Sequence, residues 1–126
     1  MDVKQQINEE LNKFQTIRNQ CKKILSQRGQ LEIQLNENKL VKEELDLLED
    51  GAKTFKLIGP ALIKIELKEA QDNVNNRIKY ITEELKRYDQ TLETLTKQQD
   101  KHREAVMKLE QATQQAMSAA VASNPK

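Results

Sequence analysis

The sequence predicts a mainly α-helical protein in which two long helices pair antiparallel as a coiled coil, with a single β-hairpin between them. Three observations lead to this fold class. Apolar residues follow an alternating four-three spacing along both ends of the chain, the period changes to two in the middle, and only 3% of the 126 residues are aromatic. A compact enzyme with loop-built sites would need more aromatic and turn residues than this composition provides.

Charged residues make up a third of the chain, with 21 Lys and Arg against 20 Asp and Glu. High charge is also typical of disorder, so the periodicity has to decide between the two. Because the net charge is only +1 and no basic block is present, we expect neither nucleic acid nor membrane as a partner. We also expect no internal disulfide, since Cys21 is the only cysteine, no signal peptide, and therefore a cytoplasmic location.

Residues 1–50 are predicted to form the first helix, which contains no Pro and is rich in helix formers. We expect Asp2 and Gln5 to cap its start and Gly51 to end it. With Ile7 at heptad position a, the a and d positions are Val3, Ile7, Glu10, Phe14, Ile17, Cys21, Ile24, Arg28, Leu31, Leu35, Asn38, Lys42 and Leu45.

Residues 68–120 are predicted to form the second helix, in which the four-three alternation is unbroken. A period of 3.5 predicts a supercoil with a partner helix and excludes disorder. We expect residues 121–126 to be a frayed tail and residues 1–126 to form one domain. The seam of this helix consists of Val74, Ile78, Ile81, Leu85, Tyr88, Leu92, Leu95, Gln99, His102, Val106, Leu109, Thr113, Ala116 and Ala120.

Residues 52–67 change to a period of two around a Gly-Pro turn signal. They predict two short strands, with Ile63, Ile65 and Leu67 on one face of the second. An irregular linker between the helices is the alternative.

A lone two-stranded hairpin is marginal in water and leaves its strand edges unpaired. This one carries far more apolar surface than a turn needs, so we expect other chains to complete a sheet or barrel with it. The predicted assembly residues are Phe55, Leu57, Ile58, Gly59, Pro60, Leu62, Ile63 and Ile65.

Two segments resemble a known family. Residues 55–64, FKLIGPALIK, resemble the hairpin of the β-type subunits of the prefoldin family. Residues 77–88, RIKYITEELKRY, are similar to the second helix in the subunit-six branch of that family. The resemblance extends from the first helix to about Gln115 and includes the order of helix, hairpin and helix.

The resemblance implies a subunit of a heterohexameric chaperone that contains two α-type and four β-type chains. This chain would then assemble with two α-type and three further β-type subunits, whose hairpins form a double β-barrel. The family captures unfolded actin and tubulin at its coiled-coil tips, without ATP or another cofactor, and passes them to the cytosolic chaperonin.

Apolar residues near both chain ends are predicted to meet at the tip of the helix pair, where the family binds clients. Leu11, Met107 and Met117 lie outside the a and d positions, and Met adapts to varied apolar sequences. Ile7, Val106 and Leu109 have an equally plausible place in the last turns of the seam. The predicted client-binding tip comprises Val3, Ile7, Leu11, Val106, Met107, Leu109, Ala116 and Met117.

No pattern predicts catalysis or a metal site. Cys21 is expected to be a buried, inert thiol, and His102 a polar seam residue that fixes the register of the helices. Arg28 falls near the level of Tyr88, where stacking on the ring is one interpretation and an imperfect seam the other. The main functional alternative to a chaperone subunit is a structural coiled-coil adaptor or spacer that binds no clients.

Overall fold

The computed structural model describes residues 2–122, which form two α-helices and one β-hairpin. In chain order the elements are α1 (Val3–Asp46), β1 (Thr54–Ile58), β2 (Ala61–Ile65) and α2 (Leu67–Ala122). The predicted fold class is confirmed. Contacts divide the chain into a hairpin unit, Ser26–Asp89, and an end unit, which combines Met1–Leu25 with Gln90–Lys126.

In the hairpin unit, each helix buries one narrow stripe. Ile81 and Leu85 of α2 are only 3% and 8% exposed. On α1, the seam residues Leu31 and Leu35 are half-buried, whereas Ile33 between them is 61% exposed. The predicted heptad therefore identifies the buried side of both helices in this unit, because residues at a and d return to the same helix face.

In the end unit, the same stripes contain Ile17 of α1 and Val106 of α2, both buried. Burial decreases along the last turns of α2, where Thr113 is half-buried and Ala116 and Ala120 are exposed. These two alanines therefore occupy seam positions of the heptad without being buried.

The start of α1 is capped as predicted. The Oδ1 atom of Asp2 accepts a hydrogen bond from the backbone N–H of Gln5 at 3.0 Å. The backbone carbonyl of Asp2 accepts the N–H of Gln6 at 3.1 Å, which is the first bond of the helix. Asp2 is therefore the N-cap residue, and its carboxylate satisfies one of the free N–H groups of the first turn.

The end of α1 lies earlier than the sequence predicts. The helix stops at Asp46, and the N–H of Leu48 bonds to the carbonyl of Leu45 at 3.2 Å. Gly51, expected to end the helix, instead has a φ of 88° in a separate turn closed by the N–H of Ala52 on the carbonyl of Glu49. Positive φ at this third position of a turn is the conformation that favours Gly.

The bounds of α2 also differ from the prediction. Leu67, assigned to the second strand, is the first residue of α2, because the carbonyl of Glu66 accepts the N–H of Ala70 at 3.0 Å and starts the helix. At the other end, Val121 and Ala122 are helical rather than part of a tail, in line with the high helix propensity of the Ala-rich sequence before them. The rest of the predicted tail, 123–126, lies outside the described residues.

One ion pair crosses between the helices of the hairpin unit. The Nε atom of Arg28 donates to Oδ1 of Asp89 at 2.6 Å, and the same guanidinium also reaches Glu32 on its own helix. The partner of Arg28 at this level is thus the carboxylate of Asp89, the residue that follows Tyr88 in the sequence. The hydrogen bonds from Arg28, together with its positive charge, hold the pKa of Asp89 below its ordinary value of 3.8.

A carboxyl whose pKa is lowered by folding stabilises the protein above its ordinary pKa, and this contribution disappears as the pH falls through the folded value. We therefore expect Asp89→Asn to lower the Tm by a constant amount above about pH 5. The difference from the unchanged protein should shrink below pH 3.8, the ordinary pKa of this group. Thermal unfolding followed by circular dichroism between pH 3 and pH 7 measures this.

Asp100→Asn is the matched control, since the carboxylate of Asp100 pairs with Arg103 of the same helix. Its removal takes away one negative charge without touching a bond between helices. A Tm difference for Asp89→Asn that is equally large at pH 3 and pH 6 would contradict the assignment.

Candidate assembly hairpin and client-binding tip

The hairpin closes through a two-residue turn. Ile58 pairs with Ala61 and Thr54 with Ile65, so only Gly59 and Pro60 lie between the strands. Gly59 has a φ of 56°, which fits the first central position of a type II′ turn. The ring of Pro60 fixes a negative φ at the second position. The Gly-Pro turn predicted from the sequence is confirmed.

The base of the hairpin is tied together by a side chain. The hydroxyl of Thr54 donates to the backbone carbonyl of Ile65 at 2.6 Å, and Thr54 is only 8% exposed. Ile65 is half-buried at the same level. The base is therefore the part of the hairpin that this chain itself shields from solvent.

Beyond this base, the apolar side chains predicted for assembly face solvent. Direct cross-strand neighbours share a face of the sheet, so Leu57 and Leu62 lie on one face and Ile63 lies on the other. Both faces therefore carry uncovered apolar groups. The exposed fractions are 54% for Phe55, 68% for Leu57, 51% for Ile58, 69% for Leu62 and 46% for Ile63.

The strand edges are open as well. Among the described residues, β1 pairs only with β2, so each strand has one edge without a hydrogen-bonding partner strand. An exposed apolar edge is a template for pairing with another chain.

The predicted tip residues separate into two groups within the end unit. Val106 is buried, and Ile7 and Leu109 are half-buried, so these three belong to the seam. The remaining five are exposed: Val3, Leu11, Met107, Ala116 and Met117.

Three of the exposed tip residues come together. Val3, Ala116 and Met117 line one shallow depression of about 360 Å³ with neighbouring residues of α2, including Thr113. Leu11 and Met107 do not line it. The apolar surface of the tip is thus made of a shared depression and two separate side chains.

Two apolar residues on the outward side of α1 were not identified from the sequence. Ile33 and Leu40 are both 61% exposed, and Leu47, just beyond the end of the helix, is 83% exposed. The spacing of seven places Ile33 and Leu40 at position f, opposite the seam, and this spacing was a usable signal in the sequence.

The polar seam residue His102 has a partner that the sequence did not identify. Its Nδ1 atom lies 2.5 Å from Oε2 of Glu10, and both side chains are largely covered. The pair joins the two helices of the end unit, which suits the predicted role in fixing their register. Cys21 is half-buried rather than buried as predicted.

Within residues 2–122, no three His, Cys, Asp or Glu side chains are grouped so that they could hold a metal ion. Over the same range, neither helix has the length of apolar sequence needed to cross a membrane.

Paired coiled-coil helices that carry an exposed apolar hairpin define a class of subunits that assemble with other chains. Comparison with known proteins identifies the family. Residues 8–113 match the family described as Prefoldin subunit. Prefoldin subunit 6 of Homo sapiens is 42% identical over 117 residues, covering 93% of this chain and 91% of the relative.

Prefoldin subunit 6 of Arabidopsis thaliana is 43% identical over 113 residues, covering 90% of this chain and 88% of the relative. The fold matches the crystal structure of the prefoldin beta subunit from Thermococcus strain KS-1 with a TM-score of 0.79 at 17% identity, covering 85% of this chain and 94% of that one. The chain therefore belongs to the prefoldin family, whose members are chaperone subunits. The resemblance seen in the hairpin and second helix is confirmed.

Replacing two glycines by alanine should change the free energy of unfolding in opposite directions. Gly59→Ala should lower the free energy of unfolding by about 1–2 kcal/mol, because a side chain disfavours its positive φ. Gly29→Ala, in the interior of α1 with open space around the new methyl group, should raise it by about 0.5–1 kcal/mol. Urea denaturation followed by circular dichroism measures both. A change of the same sign in the two variants would be inconsistent with these backbone assignments.

Proposed function

We propose that this chain is the subunit-six component of a heterohexameric prefoldin and that its hairpin joins two α-type and three further β-type subunits. The exposure of Phe55, Leu57 and Leu62 on a hairpin with two open edges carries this proposal. The family membership of the chain supports it.

The energetics of the hairpin favour association. Complete burial of a Leu, Ile or Phe side chain stabilises by about 1.5–3 kcal/mol relative to exposure. Five such residues on β1 and β2 are roughly half exposed or more, so contact with neighbouring hairpins offers a large apolar gain. Strand pairing at the open edges would add backbone hydrogen bonds and fix the order of the neighbours.

For the exposed part of the tip, we propose the ATP-independent capture of unfolded polypeptides such as actin and tubulin, followed by delivery to the cytosolic chaperonin. Met107 and Met117 are 59% and 66% exposed, and their flexible side chains suit contacts with varied apolar sequences. This role requires neither a cofactor nor catalysis. We propose the cytoplasm as its location.

The assembly role is tested by native mass spectrometry of the complex isolated from its source. We expect one copy of this chain with two α-type and three other β-type subunits. Leu57→Ser combined with Leu62→Ser should remove the chain from the complex, because both side chains then lose their apolar contact. Leu47→Ser is the control, since Leu47 is 83% exposed outside the hairpin. A full complex with the double variant would refute the hairpin as the assembly site.

The client role predicts that Leu11→Ser, Met107→Ser and Met117→Ser together will reduce the suppression of client aggregation at least several-fold while the hexamer stays intact. Light scattering of chemically denatured actin diluted into the assembled complex measures the suppression. The control carries three serines at the exposed positions Leu25, Ile33 and Leu40 of α1. Equal suppression by the tip variant and the unchanged complex would favour the adaptor or spacer function instead.

A further inference from the structure

The outward side of α1 in the hairpin unit carries apolar side chains that are exposed. Ile33 and Leu40 are both 61% exposed, and Val41 is 44% exposed. Over residues 67–89 of α2, by contrast, Tyr80 is the only large apolar side chain with comparable exposure, at 63%. The exposed apolar surface of the two helices in this unit is therefore concentrated on α1.

Two carboxylates lie within this apolar surface. Residues three and four positions apart are neighbours on the surface of a helix, so Glu37 is a neighbour of Ile33 on one side and of Leu40 on the other. Glu44 is a neighbour of Leu40 and Val41. Both glutamates are exposed, and within residues 2–122 neither carboxylate forms an ion pair. We call the surface formed by these five residues the acidic face.

The negative charge is local to this part of the chain. Residues 36–50 contain six Asp and Glu but only two Lys, whereas the whole chain has a net charge of +1. One of these lysines, Lys42, already forms an ion pair with Asp46 at 3.0 Å. The charge of the segment is therefore opposite to that of the rest of the chain, and it attracts a positively charged partner.

The mixture of apolar and acidic groups restricts the chemistry of a partner. A purely apolar surface would remove the carboxylates of Glu37 and Glu44 from water without a counter-charge, which costs free energy. The same face of a second copy would bring carboxylates against carboxylates. Lys and Arg fit both parts of the acidic face, because their methylene stems lie along apolar surface while their charged ends reach a carboxylate.

The spacing of the acidic face indicates the form of this partner. Ile33 and Leu40 are seven residues apart, as are Glu37 and Glu44. Seven residues are about two turns of a helix, so both kinds of group recur on α1 at the interval at which a second helix repeats its own side chains. An extended strand repeats its side chains at about 7 Å, which does not match the roughly 10 Å between these levels of α1.

We propose that the acidic face binds a basic amphipathic helix of a protein outside the chaperone complex. Apolar residues of that helix pack on Ile33, Leu40 and Val41, and its Lys or Arg side chains pair with Glu37 and Glu44. The inference goes beyond the proposed function, since the acidic face includes none of the residues proposed for assembly or for client capture.

Fluorescence anisotropy of a labelled peptide with the reconstituted complex tests this inference. The peptide consists of three helical heptads with Leu at positions a and d and Lys at the flanking positions, and an acidic counterpart carries Glu in place of Lys. We expect the basic peptide to bind at low salt and more weakly as salt rises, because part of the attraction is electrostatic. Equally tight binding of the acidic peptide would overturn the inference.

Two variants separate the apolar and the charged parts of the acidic face. Ile33→Ser combined with Leu40→Ser should weaken binding of the basic peptide about tenfold, because both positions lose apolar contact area. Glu37→Gln combined with Glu44→Gln should weaken it about fivefold at low salt, because two exposed ion pairs are lost. This second difference should shrink as salt rises.

Each variant has a matched control outside the acidic face. Leu25→Ser combined with Tyr80→Ser removes two other exposed apolar side chains, and Glu83→Gln combined with Glu104→Gln removes two other exposed carboxylates. Both controls should leave the affinity for the basic peptide unchanged, and circular dichroism establishes that all four variants are folded. Equal weakening by a control, or unchanged binding by either variant of the acidic face, would overturn the inference.

Two further measurements separate this partner from the clients and subunits of the proposed function. Chemically denatured actin should not displace the basic peptide, and displacement would assign the surface to clients instead. The isolated chain and the complex should bind the peptide equally well. Binding by the isolated chain alone would mean that another subunit covers the acidic face, and it would overturn the inference while leaving the proposed assembly in place.

Discussion

Contact between two narrow apolar stripes, one on each helix, is the interaction on which the rest of this structure depends. Within residues 2–122 no large side chain is completely buried, so the stability comes from many partly covered residues rather than from a central core. Two polar pairs connect the helices across this seam. They are Glu10 with His102 in the end unit and Arg28 with Asp89 in the hairpin unit, and pairs of this kind favour one register of the helices.

The contact between the helices leaves most of the hairpin uncovered. The helices use their apolar stripes on each other, and from the hairpin only its base, at Thr54 and Ile65, is covered. The remaining strand residues are exposed. An isolated two-stranded sheet is only marginally stable in water. The exposed faces and open edges of this hairpin therefore support the proposed assembly with other subunits.

The local charge of the hairpin differs from that of the whole chain. A net charge of +1 gives no indication of an electrostatic partner, but the two strands carry Lys56 and Lys64 without any acid. Arg77 on α2 reinforces this basic character beside β1. In the proposed assembly, burial of the exposed apolar side chains of the hairpin supplies the free energy of association.

The amino-acid sequence by itself determined the helix pair, the identity of most seam residues and the Gly-Pro turn. These features depend on periodicity and on the local conformational preferences of residues such as Gly59. Both are properties of short segments and do not require tertiary contacts. Of the hairpin residues that we propose for assembly, all are exposed except Ile65, which is half-buried.

Only the tertiary structure decided where α1 ends, that Asp89 is the partner of Arg28, and that Val106 is buried while Met107 next to it is exposed. It also revealed a cavity lined by Thr54, Phe55 and Lys56 of β1, by Ile65 of β2 and by residues of both helices. These outcomes depend on which side chains lie opposite one another after folding. A heptad pattern gives the buried side of a helix, but the reach and charge of the residues across from it determine how deeply each position is covered.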